Sequence, residues 1–141
     1  YIESLKNYTM QIEDQIKTCL LASPTIIGGL QTFVENVIIK DKKNAPSAIC
    51  MLVKANCEFA DEDSCLYSLS LDLSDKFEDY LSDLFAQAIA REELKGEVSP
   101  KDYARFFKVQ FTGLRGYFNR PGVEELAQPM IDQMFKIMKT L

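Results

Sequence analysis

The chain has 141 residues, 47% hydrophobic and 26% charged, with 21 acidic against 16 basic side chains and a formal charge of −5. That balance matches a single globular domain able to bury a proper core, excludes a disordered segment, and argues against nucleic-acid binding by this region, which needs clustered Lys and Arg. No apolar run approaches the ~18 residues of a membrane span and no charged-then-apolar leader opens the sequence, so a cytoplasmic protein without membrane contact is expected.

A helical pattern is already running at Tyr1. Ile2, Leu5, Met10 (less regularly), Ile12, Ile16, Cys19 and Leu20 recur near helical spacing to about Leu21, with no capping residue before them. Ser23-Pro24 predicts an N-cap followed by proline at the first helical position, opening a second helix through Ile27, Leu30, Phe33, Val34, Val37 and Ile38. Lys40 to Ala45 reads as a polar loop and Ser47 to Phe59 as a third helix. Caps at 61–64 start a fourth, which keeps Leu66, Leu73, Phe77, Tyr80, Leu81, Leu84 and Ala88 on one side until about Leu94. Asp72, Asp75, Asp79 and Asp83 fall elsewhere on that helix and read as a solvated face, not a metal site. Gly96 predicts a glycine C-cap.

Ser99-Pro100 repeats the cap-plus-proline start and opens a fifth helix reaching Phe118. Asn119-Arg120-Pro121-Gly122 is a turn. The last segment, Val123 to Leu141, is expected to bury Leu126, Met130, Met134, Ile137, Met138 and Leu141, with a kink or restart at Pro129. No segment alternates as a strand. The fold class expected is all-α, an antiparallel bundle of about six helices forming one domain over residues 1–141.

The fifth helix is apolar over too wide an arc for one partner. At about 100° per residue, Tyr103, Phe107, Phe111, Leu114 and Phe118 form one flank, and Phe106, Val109, Gly113 and Tyr117 a second beside it. Lys101, Arg105, Lys108 and Arg115 occupy the polar remainder. Burial against a single core needs a stripe only somewhat wider than ~100°, so the second flank calls for another partner. A second copy of the chain is the economical one. The predicted dimer interface is Phe106, Val109, Gly113 and Tyr117, with Met130, Met134 and Met138 from the last helix.

Enzyme machinery is missing: there is no histidine, no phosphate-cradling glycine loop and no nucleophile elbow, so no catalytic residue, metal or cofactor is assigned. Cys19, Cys50, Cys57 and Cys65 form no C-x-x-C pair. Cys50 and Cys57, about 10 Å apart if they share a helix, cannot bridge within it. Their ordinary reading is as small apolar side chains, with a redox-sensing thiol as the alternative. The positive signal is a supply of inward aromatic and soft side chains. Phe33, Met51, Phe59, Tyr67, Phe77, Phe107 and Phe111 are the candidates to surround a ligand cavity, with Asn56, Tyr67 and Gln110 as polar anchors. The competing reading is that these aromatics fill a close-packed core. With no basic cluster on the inward faces, the ligand expected is lipophilic or aromatic.

The order of landmarks resembles the C-terminal regulatory domain of TetR/AcrR-family transcriptional repressors. The resemblance rests on Ile49-Cys50-Met51-Leu52-Val53, the break at Phe59-Ala60-Asp61-Glu62-Asp63, and the long helix ending at Leu94-Lys95-Gly96-Glu97. It continues through Ser99-Pro100-Lys101-Asp102-Tyr103-Ala104-Arg105-Phe106-Phe107, Thr112-Gly113-Leu114 and the Asn119-Arg120-Pro121-Gly122 turn. It implies an effector-binding domain that forms a homodimer through its last two helices. It further implies a connector helix, Tyr1 to about Leu21, leading from a DNA-binding head upstream, so that operator DNA is a partner only through that head. A helical interaction module without an effector, and a cysteine-based redox sensor, are the alternatives.

Overall fold

In the computed structural model, residues 2–40 and 65–141 are described; they contain five α-helices and no β-strand. Helix α1 spans Ile2–Leu21, α2 Ile26–Glu35, α3 Cys65–Ala90, α4 Pro100–Tyr117 and α5 Ala127–Met138. A π-helical turn over Asn36–Lys40 prolongs α2, and a 3₁₀ turn over Glu124–Leu126 precedes α5. The all-helical class and bundle architecture agree with the hydropathy pattern. The expected third helix, Ser47 to Phe59, lies outside the described residues.

Helix α2 is the centre of the bundle, packing against α1, α3 and α5. Its first half is apolar nearly all round, and Ile26, Ile27, Leu30, Phe33 and Val34 are all buried, as a helix enclosed on several sides requires. Gly29 permits its close seat on α1. A Cβ there would lie 2.9 Å from Leu20 Cδ2 and 3.0 Å from Leu20 Cα, so any side chain would push the two helices apart.

Two helix boundaries fall elsewhere than local sequence predicts, for one shared reason. The N-cap of α2 is Thr25, not Ser23; its hydroxyl accepts from the Gly28 N–H at 2.9 Å. The N–H groups of Ile26 and Ile27 donate instead to the Glu93 carboxylate, at 3.2 and 2.9 Å. Glu93 is delivered by the end of α3, which stops at Ala90, short of Leu94. There Glu92 takes a left-handed conformation with φ +62°, and the Glu93 N–H returns to the Ala88 carbonyl at 2.9 Å while that of Glu92 reaches Ile89 at 3.0 Å. This is the hydrogen-bond pattern of a Schellman cap, made without glycine. Gly96, expected to be the C-cap, also has positive φ (+75°) but sits in the following turn. Its N–H donates to the Tyr103 hydroxyl.

The start of α4 matches its sequence signature: Ser99 accepts from the Asp102 N–H at 3.1 Å, with Pro100 at the first helical position. Pro129 lies in the first turn of α5, where the missing N–H has no partner to lose. The 3₁₀ turn before Ala127 is thus the restart, and α5 is not kinked by proline. Its buried stripe is Ala127, Ile131, Met134, Phe135 and Met138, leaving Leu126, Met130 and Ile137 on the surface. Helix α4 lies along α3, joined by Lys101 to Asp79 at 2.9 Å and by Lys108 to Ser74 Oγ at 3.0 Å. Arg115, expected on the same polar side, is instead only 3% exposed. Its guanidinium donates to the Tyr8 hydroxyl of α1 and lies over the Tyr8 and Phe111 rings at 5.9 and 5.5 Å.

Candidate functional site

The inward aromatics meet as rings in contact. Phe107 stacks on Phe111 with centroids 5.8 Å apart, and Phe111 reaches Phe33 of α2 at 5.4 Å. Phe107 continues the chain of rings to Phe85 at 6.1 Å and to Phe135 at 6.5 Å. These separations are ordinary aromatic contacts. Phe33, Phe107 and Phe111 are therefore brought together as predicted, but they touch one another, and none of them lines the groove at the α1–α2–α3 junction or the small pocket beside Ile38, Ile39, Phe118 and Ala127. Phe77 is part-buried and stacks on Tyr80 at 6.5 Å, away from that cluster. Tyr67 is part-buried near the start of α3. Gln110, predicted as an inward anchor, is exposed on the outer side of α4. Helical spacing places it one residue before the buried Phe111 and so off the core stripe. Met51, Asn56 and Phe59 lie outside the described residues.

The predicted dimer residues divide between surface and core. Val109 is 67% and Tyr117 49% exposed, while a Cβ on Gly113 would meet nothing within 4 Å. Phe106 is part-buried at the margin of the same side. Met130 is 41% exposed on α5. Met134 and Met138, by contrast, belong to the chain's own core at 3% and 0% exposure. The turn of α5 that carries Ile131 and Phe135 inward takes these two methionines with it. The exposed apolar positions of the last segment are Leu126, in the 3₁₀ turn, and Met130 and Ile137 of α5, spaced seven residues apart.

An open groove of about 350 Å³ lies where the end of α1, the start of α2 and the end of α3 converge. Its apolar wall is Leu20, Leu21, Ile26 and Leu84. Lys17 and Arg91 line it from α1 and from the turn after α3, beside the hydroxyls of Ser23 and Thr25. No carboxylate lines it, although acidic residues outnumber basic ones in the chain. Sequence reasoning missed this site because its residues come from three separated segments, none patterned as a motif.

Comparison with protein-family models, with curated proteins and with solved structures finds no match. Among the described residues, no group of three or more Cys, Asp or Glu side chains is placed to hold a metal, and no helix is long and apolar enough to cross a membrane. The Asp72, Asp75, Asp79 and Asp83 row is exposed along α3, and Asp79 is engaged by Lys101. Cys19 is part-buried at the α1–α2 seam. Burial pushes its thiol above the usual range, against a smaller opposing effect of the Asn36 amide. A thiol shifted in that direction holds less thiolate at neutral pH and reacts more slowly.

Proposed function

We propose that the chain is the effector-binding and dimerising domain of a TetR-like, ligand-responsive transcriptional regulator, in which α1 serves as a connector to a DNA-binding head. The observation that carries this reading is the apolar outer side of α4, where Val109 and Tyr117 stand exposed on either side of a glycine with open space above it. Gly113 lets a second helix approach closely, and the flanking side chains supply the apolar area. A two-fold pair of such surfaces, joined by Met130 of α5, makes a four-helix interface. Dimerisation gives the head its purpose: two heads must meet operator half-sites about 34 Å apart. An effector that prefers one arrangement of the body shifts α1 and changes that spacing, and a differential of about 1–3 kcal/mol is the usual scale of such coupling.

Sedimentation velocity tests the dimer. The expected result is a dimer for the natural sequence and a monomer of unchanged helicity for Val109→Glu combined with Tyr117→Glu. A natural chain that stays monomeric at high concentration refutes the reading. The ring-to-ring packing of Phe33, Phe107 and Phe111 favours a second reading, a helical dimerisation module with no effector. That module keeps the dimer and lacks saturable ligand binding.

A further inference from the structure

The groove at the α1–α2–α3 junction has a chemistry of its own. Leu21 is 90% exposed at its edge, an arrangement that leaves a full apolar side chain in water unless something covers it. Lys17 and Arg91 line it with no ion-pair partner among the described residues. The Ser23 hydroxyl already accepts the Thr25 N–H at 3.4 Å and the Thr25 hydroxyl the Gly28 N–H at 2.9 Å. Each keeps its proton to donate outward. The nearby Glu93 carboxylate is turned onto the Ile26 and Ile27 amides and does not line the groove. With the Gln87 amide, which can donate through its NH2 group, the polar lining therefore offers donors and positive charge over an apolar wall. The volume, about 350 Å³, falls at the low end of small-ligand pockets, roughly 300–1,000 Å³.

From these features we infer that the groove binds an amphipathic anion, a carboxylate on a medium-length alkyl chain. The head sits between Lys17 and Arg91, and the tail lies along Leu20, Leu21, Ile26 and Leu84. The inference rests on the effector half of the proposed function and gives it a place and a ligand class. It also places the ligand against the end of α1, the helix through which a head would respond.

Calorimetric titration of the full chain with sodium decanoate tests it, with decanol as the neutral counterpart. The expected result is one saturable decanoate site per chain, tighter than decanol, with each methylene from octanoate to decanoate tightening binding by up to about fourfold. Lys17→Gln with Arg91→Gln, both at exposed positions, weakens decanoate about tenfold or more and leaves decanol unchanged. Leu21→Glu, at a position where the fold has little to lose, abolishes decanoate binding while helicity stays constant. Three results would overturn the inference: no saturation below about 1 mM, equal affinity for decanoate and decanol, or a double variant that binds decanoate like the natural chain. Sedimentation is independent of all three, so loss of the dimer reading and loss of the groove reading are distinguishable.

Discussion

Glu93→Ala removes the carboxylate that completes the N-terminus of α2. The Ile26 and Ile27 N–H groups lose acceptors at 3.2 and 2.9 Å, and both residues are buried, at 5% and 3% exposure. Water therefore replaces the carboxylate poorly. A hydrogen bond to a charged group contributes about 1.5–3 kcal/mol, and the helix N-terminus adds about 0.3–1 kcal/mol for a nearby negative charge. Allowing for partial access of water to the gap, the loss expected is about 3 kcal/mol, or roughly 10 °C in Tm for a chain of this size. Urea denaturation followed by circular dichroism at fixed protein concentration measures it. Glu93→Gln keeps one carbonyl acceptor and loses the charge, so it falls between the natural chain and Glu93→Ala. Glu97→Ala, at an exposed position in the following turn, serves as the control and changes little. A Glu93→Ala chain within about 0.5 kcal/mol of the natural one refutes the reasoning, because it means that α2 does not depend on an acceptor supplied from the end of α3.

Gly29→Ala gains up to about 1 kcal/mol of helix propensity but forces a Cβ to within 3.0 Å of backbone. Overpacking of that kind costs about 1–3 kcal/mol, so a net loss of about 1 kcal/mol is expected in the same urea assay, and a stabilised variant contradicts the described seam. Burial first, then the charges of Glu13 and Asp14, raise the Tyr80 phenol above its usual 10.0. The folded chain thus holds the Tyr80 proton where the unfolded chain releases it. Stability from this group is intact below about pH 10 and falls as pH rises further. The Tyr80 hydroxyl has no hydrogen-bond partner among the described residues. Tyr80→Phe is accordingly neutral or stabilising by about 1 kcal/mol at pH 7, and it flattens the alkaline decline in urea midpoint; an unchanged slope removes Tyr80 as its source.

Features written in neighbouring residues were legible. Ser99-Pro100 starts α4 where cap chemistry predicts, because the Ser99 hydroxyl needs only an N–H three residues away. The exposed flank of α4 was legible too, since Val109, Gly113 and Tyr117 recur at steps of four residues on a surface too wide for one core. The start of α2 was not, because Glu93 supplies its acceptors from 66 and 67 residues away in sequence. The end of α3 follows from the same tie, which holds Glu92 in a conformation usually left to glycine. In the last segment, the expected buried set kept Met134 and Met138 but missed Ile131 and Phe135, which packing turned inward in place of Leu126, Met130 and Ile137. Periodicity marks which aromatics turn inward. It does not say whether they stand apart around a space or meet, and Phe33, Phe107 and Phe111 meet ring to ring.

Arg115 has a mechanical consequence. Grease alone would let α1 slide along its neighbour, since one apolar contact replaces another at small cost. A guanidinium held by a hydroxyl and two ring faces resists such sliding, because its partners are directional, and Tyr8 ties the upstream half of α1 to one axial register. A displacement of the other end, near Leu20 and Leu21, would on that footing turn α1 about Tyr8 and not slide it.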